Sequence, residues 1–96
     1  MQEKSVEQYL VHCINEMDGK AYKFVSPGNS GVPDRLVCLP GGKACFVELK
    51  APGKKPRPLQ VAAQEQLRRL GFAVKTIDCK ERVDEFCKKL KSGDAK

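Results

Sequence analysis

The chain has 96 residues, 41% hydrophobic and 31% charged, with a formal net charge of +6 at pH 7. That length is expected to form a single domain around one small core, and the regular recurrence of apolar residues excludes a disordered tail. No apolar run approaches the ~20 residues needed to span a bilayer, and MQEKSVEQ lacks a signal-peptide core, so a soluble, cytoplasmic protein is expected.

A first helix is predicted from Ser5, where Ser5 and Gln8 have the spacing of a capping box. Val6, Leu10, Cys13, Ile14 and Met17 form its apolar stripe, and Asp18-Gly19 ends it. Residues 21–25, AYKFV, alternate as a half-buried strand does. SPGNSGVP is then a loop in which Gly28 and Gly31 permit tight backbone paths and Pro33 fixes the entry to the next strand. DRLVCL and KACFVELK form an antiparallel hairpin around Pro40-Gly41-Gly42.

The segment APGKKPR excludes regular structure, and Pro58 opens a second helix with the seam Leu59, Ala63, Leu67 and Leu70, stopped by Gly71. FAVKTI is a fourth strand. DCKERVDEFCKKL is a last helix that buries Val83, Phe86, Cys87 and Leu90, and the tail SGDAK is expected to fray. The order α-β-β-β-α-β-α defines an α/β domain: a mixed sheet flanked by helices, its fourth strand parallel to the third through a right-handed crossover.

Five cysteines, at 13, 38, 45, 79 and 87, show no close pair of the zinc-knuckle or redox type. They read as reduced thiols, four of them in or beside apolar patterns, in a reducing compartment. His12 is the single histidine, which nearly excludes a histidine-rich metal site or a Ser-His-Asp triad.

Chemistry concentrates at the open end of the hairpin. Glu48 and Lys50 alternate onto one face of their strand. Asp34 joins them only if the loop is the three residues 40–42, which pairs Leu39 with Lys43 and sets Asp34 opposite Glu48. A two-residue loop would put Arg35 there instead. The three-residue loop is the expected one. Two neighbouring carboxylates repel and raise a pKa unless a cation lies between them, and Lys50 could serve as a purely structural partner. Glu7 and Gln60 each lie three and seven residues before apolar positions of their helices, on the flank of a buried stripe. Either could be solvated, or both could close a polar pocket with the hairpin acids. Such hard oxygen ligands suit Mg²⁺ or Mn²⁺ rather than zinc. Directly after this end comes KAPGKKPR, residues 50–57, with four cations and no acid.

G-V-P-D at 31–34, V-E-L-K at 47–50, the basic linker and P-L-Q at 58–60 resemble the VRR-NUC branch of the PD-(D/E)XK nucleases. The resemblance extends to Glu7 and to the strand G-F-A-V, so it spans nearly the whole chain. It implies a restriction-endonuclease-like sheet and a Mg²⁺- or Mn²⁺-dependent deoxyribonuclease. Asp34, Glu48 and the backbone carbonyl of Leu49 would hold the ion, with Glu7 completing the shell directly, through water or through a second ion. Lys50 would position the attacking water and stabilise charge on the phosphate, and Gln60 would orient Lys50 or the water. Lys54, Lys55 and Arg57 would bind flanking DNA phosphates.

Stand-alone members of this family are similar to dimeric Holliday-junction resolvases, which implies a homodimer on branched DNA, since symmetric cutting needs two sites about a two-fold axis. A flap-type nuclease and a non-catalytic nucleic-acid-binding domain remain as alternatives. An RNA-directed nuclease of the tRNA-splicing type would want a histidine base, and His12 lies on the first helix, away from the hairpin.

Overall fold

The computed structural model describes residues 3–92, so the expectation for the tail beyond Ser92 lies outside the described residues. Helix α1 (Glu3–Glu16) starts two residues before the predicted cap, placing Ser5 inside the helix with Glu3 in its first turn. A carboxylate there complements the helix dipole, so no Ser5 cap is needed. Its buried stripe is Val6, Leu10 and Ile14, at steps of four. The helix ends as expected, with Asp18 in the left-handed region at φ 60° and the Gly19 N–H donating to the Ile14 carbonyl.

Strands β1 (Lys20–Lys23), β2 (Arg35–Leu39) and β3 (Lys43–Leu49) form an antiparallel run. After helix α2 (Pro58–Arg69), strand β4 (Ala73–Ile77) pairs parallel to β3, and helix α3 (Lys80–Ser92) closes the fold. The sheet order is β1-β2-β3-β4, which leaves β1 and β4 as edges. The hairpin loop is the three residues 40–42, with Leu39 paired to Lys43 and Arg35 to Val47. Gly41 and Gly42 take positive φ, 86° and 78°, as that turn requires. The next step of this register brings Asp34 opposite Glu48.

The sheet has two unlike faces. Val37, Cys45, Val47, Leu49 and Ile77 point to α1 and α3 and pack with Val6, Leu10, Ile14, Val83, Phe86, Cys87 and Leu90 in one core. Each such side chain contributes about 1.5–3 kcal/mol when taken fully out of water, so this face holds the domain together. Cys45 and Cys87 are buried here, and burial pushes both thiols up to about 11. All five cysteines are free thiols. Among the described residues no helix is long and apolar enough to cross a membrane.

On the opposite face, Phe46 sits between Phe24 and Phe72, at centroid distances of 5.3 and 5.5 Å, and Glu48 follows it along β3. Here α2 departs from expectation. Leu59 and Leu70, predicted to be seam residues, are 63% and 69% exposed, Ala63 and Leu67 are only half-buried, and the residue α2 buries is Gln64. The helix lies over the part of the sheet that carries Glu48 and Thr76, so it turns amides inward to meet them. Its apolar stripe is displaced onto a groove of about 480 Å³ shared with Phe24 and the loop that follows β1.

Candidate active site

Gly31 and Pro33 set up the geometry. Gly31 has φ +87°, and a Cβ built on it would stand 2.6 Å from the Leu59 carbonyl oxygen and 3.0 Å from the Gln60 nitrogen. The loop therefore lies flat against the first turn of α2, in a conformation and at a distance only glycine tolerates. Pro33 is fully buried beyond it and delivers Asp34 to the start of β2. Gly31→Ala is expected to cost about 1–3 kcal/mol, the scale of left-handed strain, and to push the turn bearing Gln60 away from the sheet. A fall in thermal midpoint accompanied by lower activity at temperatures where the variant is still folded checks both parts.

Asp34 accepts a hydrogen bond on Oδ2 from the Leu49 N–H at 2.9 Å. A strand residue's N–H and C=O leave on the same side, so the Leu49 carbonyl also faces Asp34. Glu48 is 2% exposed. Its Oε2 accepts from Gln60 Nε2 at 2.8 Å and lies 3.3 Å from Lys50 Nζ, while its buried Oε1 has no donor among the described residues. Burial foremost, and then the charge of Asp34, push the Glu48 carboxyl above the ordinary glutamate value, and Lys50 only partly opposes them. Gln60 in turn accepts on Oε1 from the Arg57 N–H at 2.8 Å. One amide thus ties the start of α2 to the buried carboxylate. The structure gathers Asp34, Glu48, Lys50, Gln60 and Leu49 at one point, with Gln60 orienting Glu48 rather than Lys50.

Glu7 stands apart. Its Oε2 accepts from Arg35 Nε at 3.0 Å and pairs with Nη2, also at 3.0 Å, and Arg35 Nη1 donates to the Ala21 carbonyl at 2.8 Å. Arg35 and Glu7 lie on the α1 side of the sheet and Glu48 on the α2 side. Among the described residues, no three His, Cys, Asp or Glu side chains converge as a cation cluster. What fits a divalent cation is the pair Asp34 and Glu48 with the Leu49 carbonyl: hard oxygens, with one buried carboxylate oxygen lacking any donor.

Lys54, Lys55 and Arg57 are exposed on a loop fastened at both ends, by Gly53 N–H to Asp78 Oδ2 at 3.3 Å and by Arg57 N–H to Gln60. His12 lies on the outer side of α1 beside Glu16. Sequence reasoning missed Arg35 and Gln64. Arg35 was legible as a charge opening a strand whose next same-face residue, Val37, is apolar. Gln64 was legible only as the residue one turn after Gln60. It is 3% exposed and accepts long bonds from Arg68 at 3.4 Å and Thr76 at 3.5 Å, while its Nε2 has no acceptor among the described residues.

No family model matches the chain. A solved structure titled "VRR_NUC domain" superposes with a TM-score of 0.85 and 33% sequence identity, over 90% of this chain and 94% of that one. "Putative nuclease p44" of Acyrthosiphon pisum secondary endosymbiont phage 1 is 51% identical over 81 residues, which span 84% of this chain and 87% of that protein. The fold and these relatives place the chain among nucleases of the PD-(D/E)XK class. Within that class the chain belongs to the VRR-NUC family.

Proposed function

We propose that the protein is a divalent-metal-dependent endonuclease that hydrolyses phosphodiester bonds in branched DNA, acting as a homodimer on four-way junctions. The observation that carries the metal reading is the buried Glu48 Oε1, an acceptor with no donor among the described residues and beside a second carboxylate. Leaving such an atom unsatisfied is costly, and a cation satisfies it. Asp34, Glu48 and the Leu49 carbonyl would hold Mg²⁺ or Mn²⁺, with Glu7 reaching it through water. Such an ion, when bound, supplies Lewis acidity toward the phosphoryl group and makes hydroxide available near neutral pH without a histidine.

The chain's own residues do the rest. The Leu49 N–H fixes Asp34, and Gln60 fixes Glu48 with Oε1 turned free. Lys50 is largely buried, which strengthens its charge toward a scissile phosphate and the water attacking it. Lys54, Lys55 and Arg57 bind phosphates beside the cut without reading sequence. In-line attack leaves a 5′-phosphate and a 3′-hydroxyl. Pairing of two copies is supported by the apolar groove beside α2, which exposes Leu59 and Leu70.

The test is cleavage of end-labelled four-way junction, 5′ flap, splayed duplex and linear duplex, each with Mg²⁺, Mn²⁺ or EDTA. Metal-dependent symmetric cuts in the junction are expected. Cutting of the flap alone would replace the resolvase with a flap nuclease, and binding without any cutting would leave a non-catalytic domain.

A further inference from the structure

Strand β4 is a sheet edge next to the strand that carries Glu48, with Thr76 as the register partner of Glu48. Its backbone alternates between a paired side and an open side. The Ile77 carbonyl accepts from the Lys50 N–H and so points to β3. The odd-numbered residues of β4 therefore face inward, and Val74 and Thr76 turn their N–H and C=O groups outward. The Val74 carbonyl is met there by Arg68 Nη2 at 3.0 Å. An outward N–H at Thr76 is a donor that suits an anion.

The surroundings of this edge are basic. A hollow of about 200 Å³ on it is lined by Lys75, Thr76, Arg82 and Lys89, with Glu85 the single acid lining it. A second hollow of about 230 Å³ shares Lys75 and adds Arg68. The track is joined to the basic loop, because Asp78 at the end of β4 accepts from the Gly53 N–H and pairs with Arg82 at 3.3 Å. Four cations against Glu85 in the lining and Asp78 paired to Arg82 leave the edge net positive, which opposes a second copy of the same edge and favours a polyanion.

We propose that the β4 edge, with Arg68, Lys75, Arg82 and Lys89, binds the sugar–phosphate backbone of a DNA arm beyond the cleaved bond. This rests on the nuclease reading above and names a surface that reading does not use. The basic loop holds phosphates at the cut, while the edge holds the arm that passes β4, one strand away from Glu48. Its contacts are to phosphate, so it contributes affinity and orientation without sequence preference.

The experiment is a salt titration of binding to a fluorescent four-way junction in EDTA, comparing wild type with Lys75→Gln/Lys89→Gln. Lys20→Gln/Lys23→Gln, on the opposite edge strand, removes the same charge elsewhere. For the β4 variant, the slope of log affinity against log salt should fall by roughly 1–2, about 0.9 for each phosphate released. Affinity in 0.1 M salt should drop on the order of tenfold, with the β1 control close to wild type. Lys89→Gln alone, at an exposed helix position, should show about half the effect and guards against misfolding of the double variant.

Equal losses in the β4 and β1 variants would overturn the proposal and leave only a net-charge effect, with the nuclease reading intact. A β4 variant that binds DNA normally but sediments as a smaller species would make the edge an interface between copies, which also overturns it. Absence of DNA binding by wild type would overturn both readings at once.

Discussion

Asp34→Asn is expected to abolish most cleavage while leaving the fold in place. The amide keeps an oxygen that can accept the Leu49 N–H, so the hydrogen bond at 2.9 Å survives and only the charge is lost. Loss of one charge from the cation-holding pair should lower the rate on the order of 10³-fold, the scale on which removal of a single electrostatic stabiliser is felt. A structural Asp–Lys–Glu cluster predicts no such loss. The substitution has a second, independent signature. The Glu48 carboxyl is raised by burial first and by the Asp34 charge second. With a raised folded pKa, Glu48 contributes stability that is fully present below the ordinary value of 4.5 and is lost as pH rises through its own higher value. In the metal-free wild type, the thermal midpoint should therefore sag across that window. In Asp34→Asn the second cause is gone and the first remains, so the sag should shrink without vanishing. Thermal unfolding in EDTA across the acidic range reads this directly. An identical sag in both proteins would mean that Asp34 does not act on Glu48.

The hairpin end was legible because β periodicity is rigid. Once Pro40-Gly41-Gly42 is taken as a three-residue loop, Leu39 must face Lys43, and Asp34 arrives opposite Glu48 with no freedom left. Strand and helix order followed from turn residues and apolar spacing for the same reason. The face of α2 was not legible. Its apolar residues suggested a seam of Leu59, Ala63, Leu67 and Leu70, but a helix is oriented by what it meets, and this one meets a buried carboxylate and Thr76. Gln60 points inward because Glu48 needs a donor, and Gln64 points inward to accept from Thr76, long-range demands that no local period encodes. The partner of Glu7 was not legible for a related reason. Its place at the rim of the α1 stripe was read correctly, but which partner it meets depends on Arg35, whose reach to both Glu7 and Ala21 exists only after β1, β2 and α1 have assembled.

Arg35 therefore carries the largest stability effect expected of any exchange near the site. Its side chain is 12% exposed and joins three elements: β2 by its backbone, α1 through Glu7, and β1 through the Ala21 carbonyl. Arg35→Met leaves a half-buried carboxylate and a carbonyl without their donor, and breaking such a pair on one side costs about 3–5 kcal/mol when it is fully buried. With Glu7 at 29% exposure, solvent recovers part of this, and about 2–3 kcal/mol is expected. For a domain of this size that is a fall of roughly 10–20 °C in thermal midpoint. Lysine should rescue only part of it, because a single ammonium cannot reproduce a guanidinium that meets Glu7 with two nitrogens and the Ala21 carbonyl with the third. Arg35→Met/Glu7→Met removes both charges, and its midpoint should recover well above that of the single variant. Cleavage then separates the two roles open to Glu7. If the pair only braces α1 against the sheet, the double variant should cut DNA at nearly the wild-type rate. If Glu7 reaches the cation through water, activity should stay low although stability has returned, and Glu7→Gln alone should show the same loss.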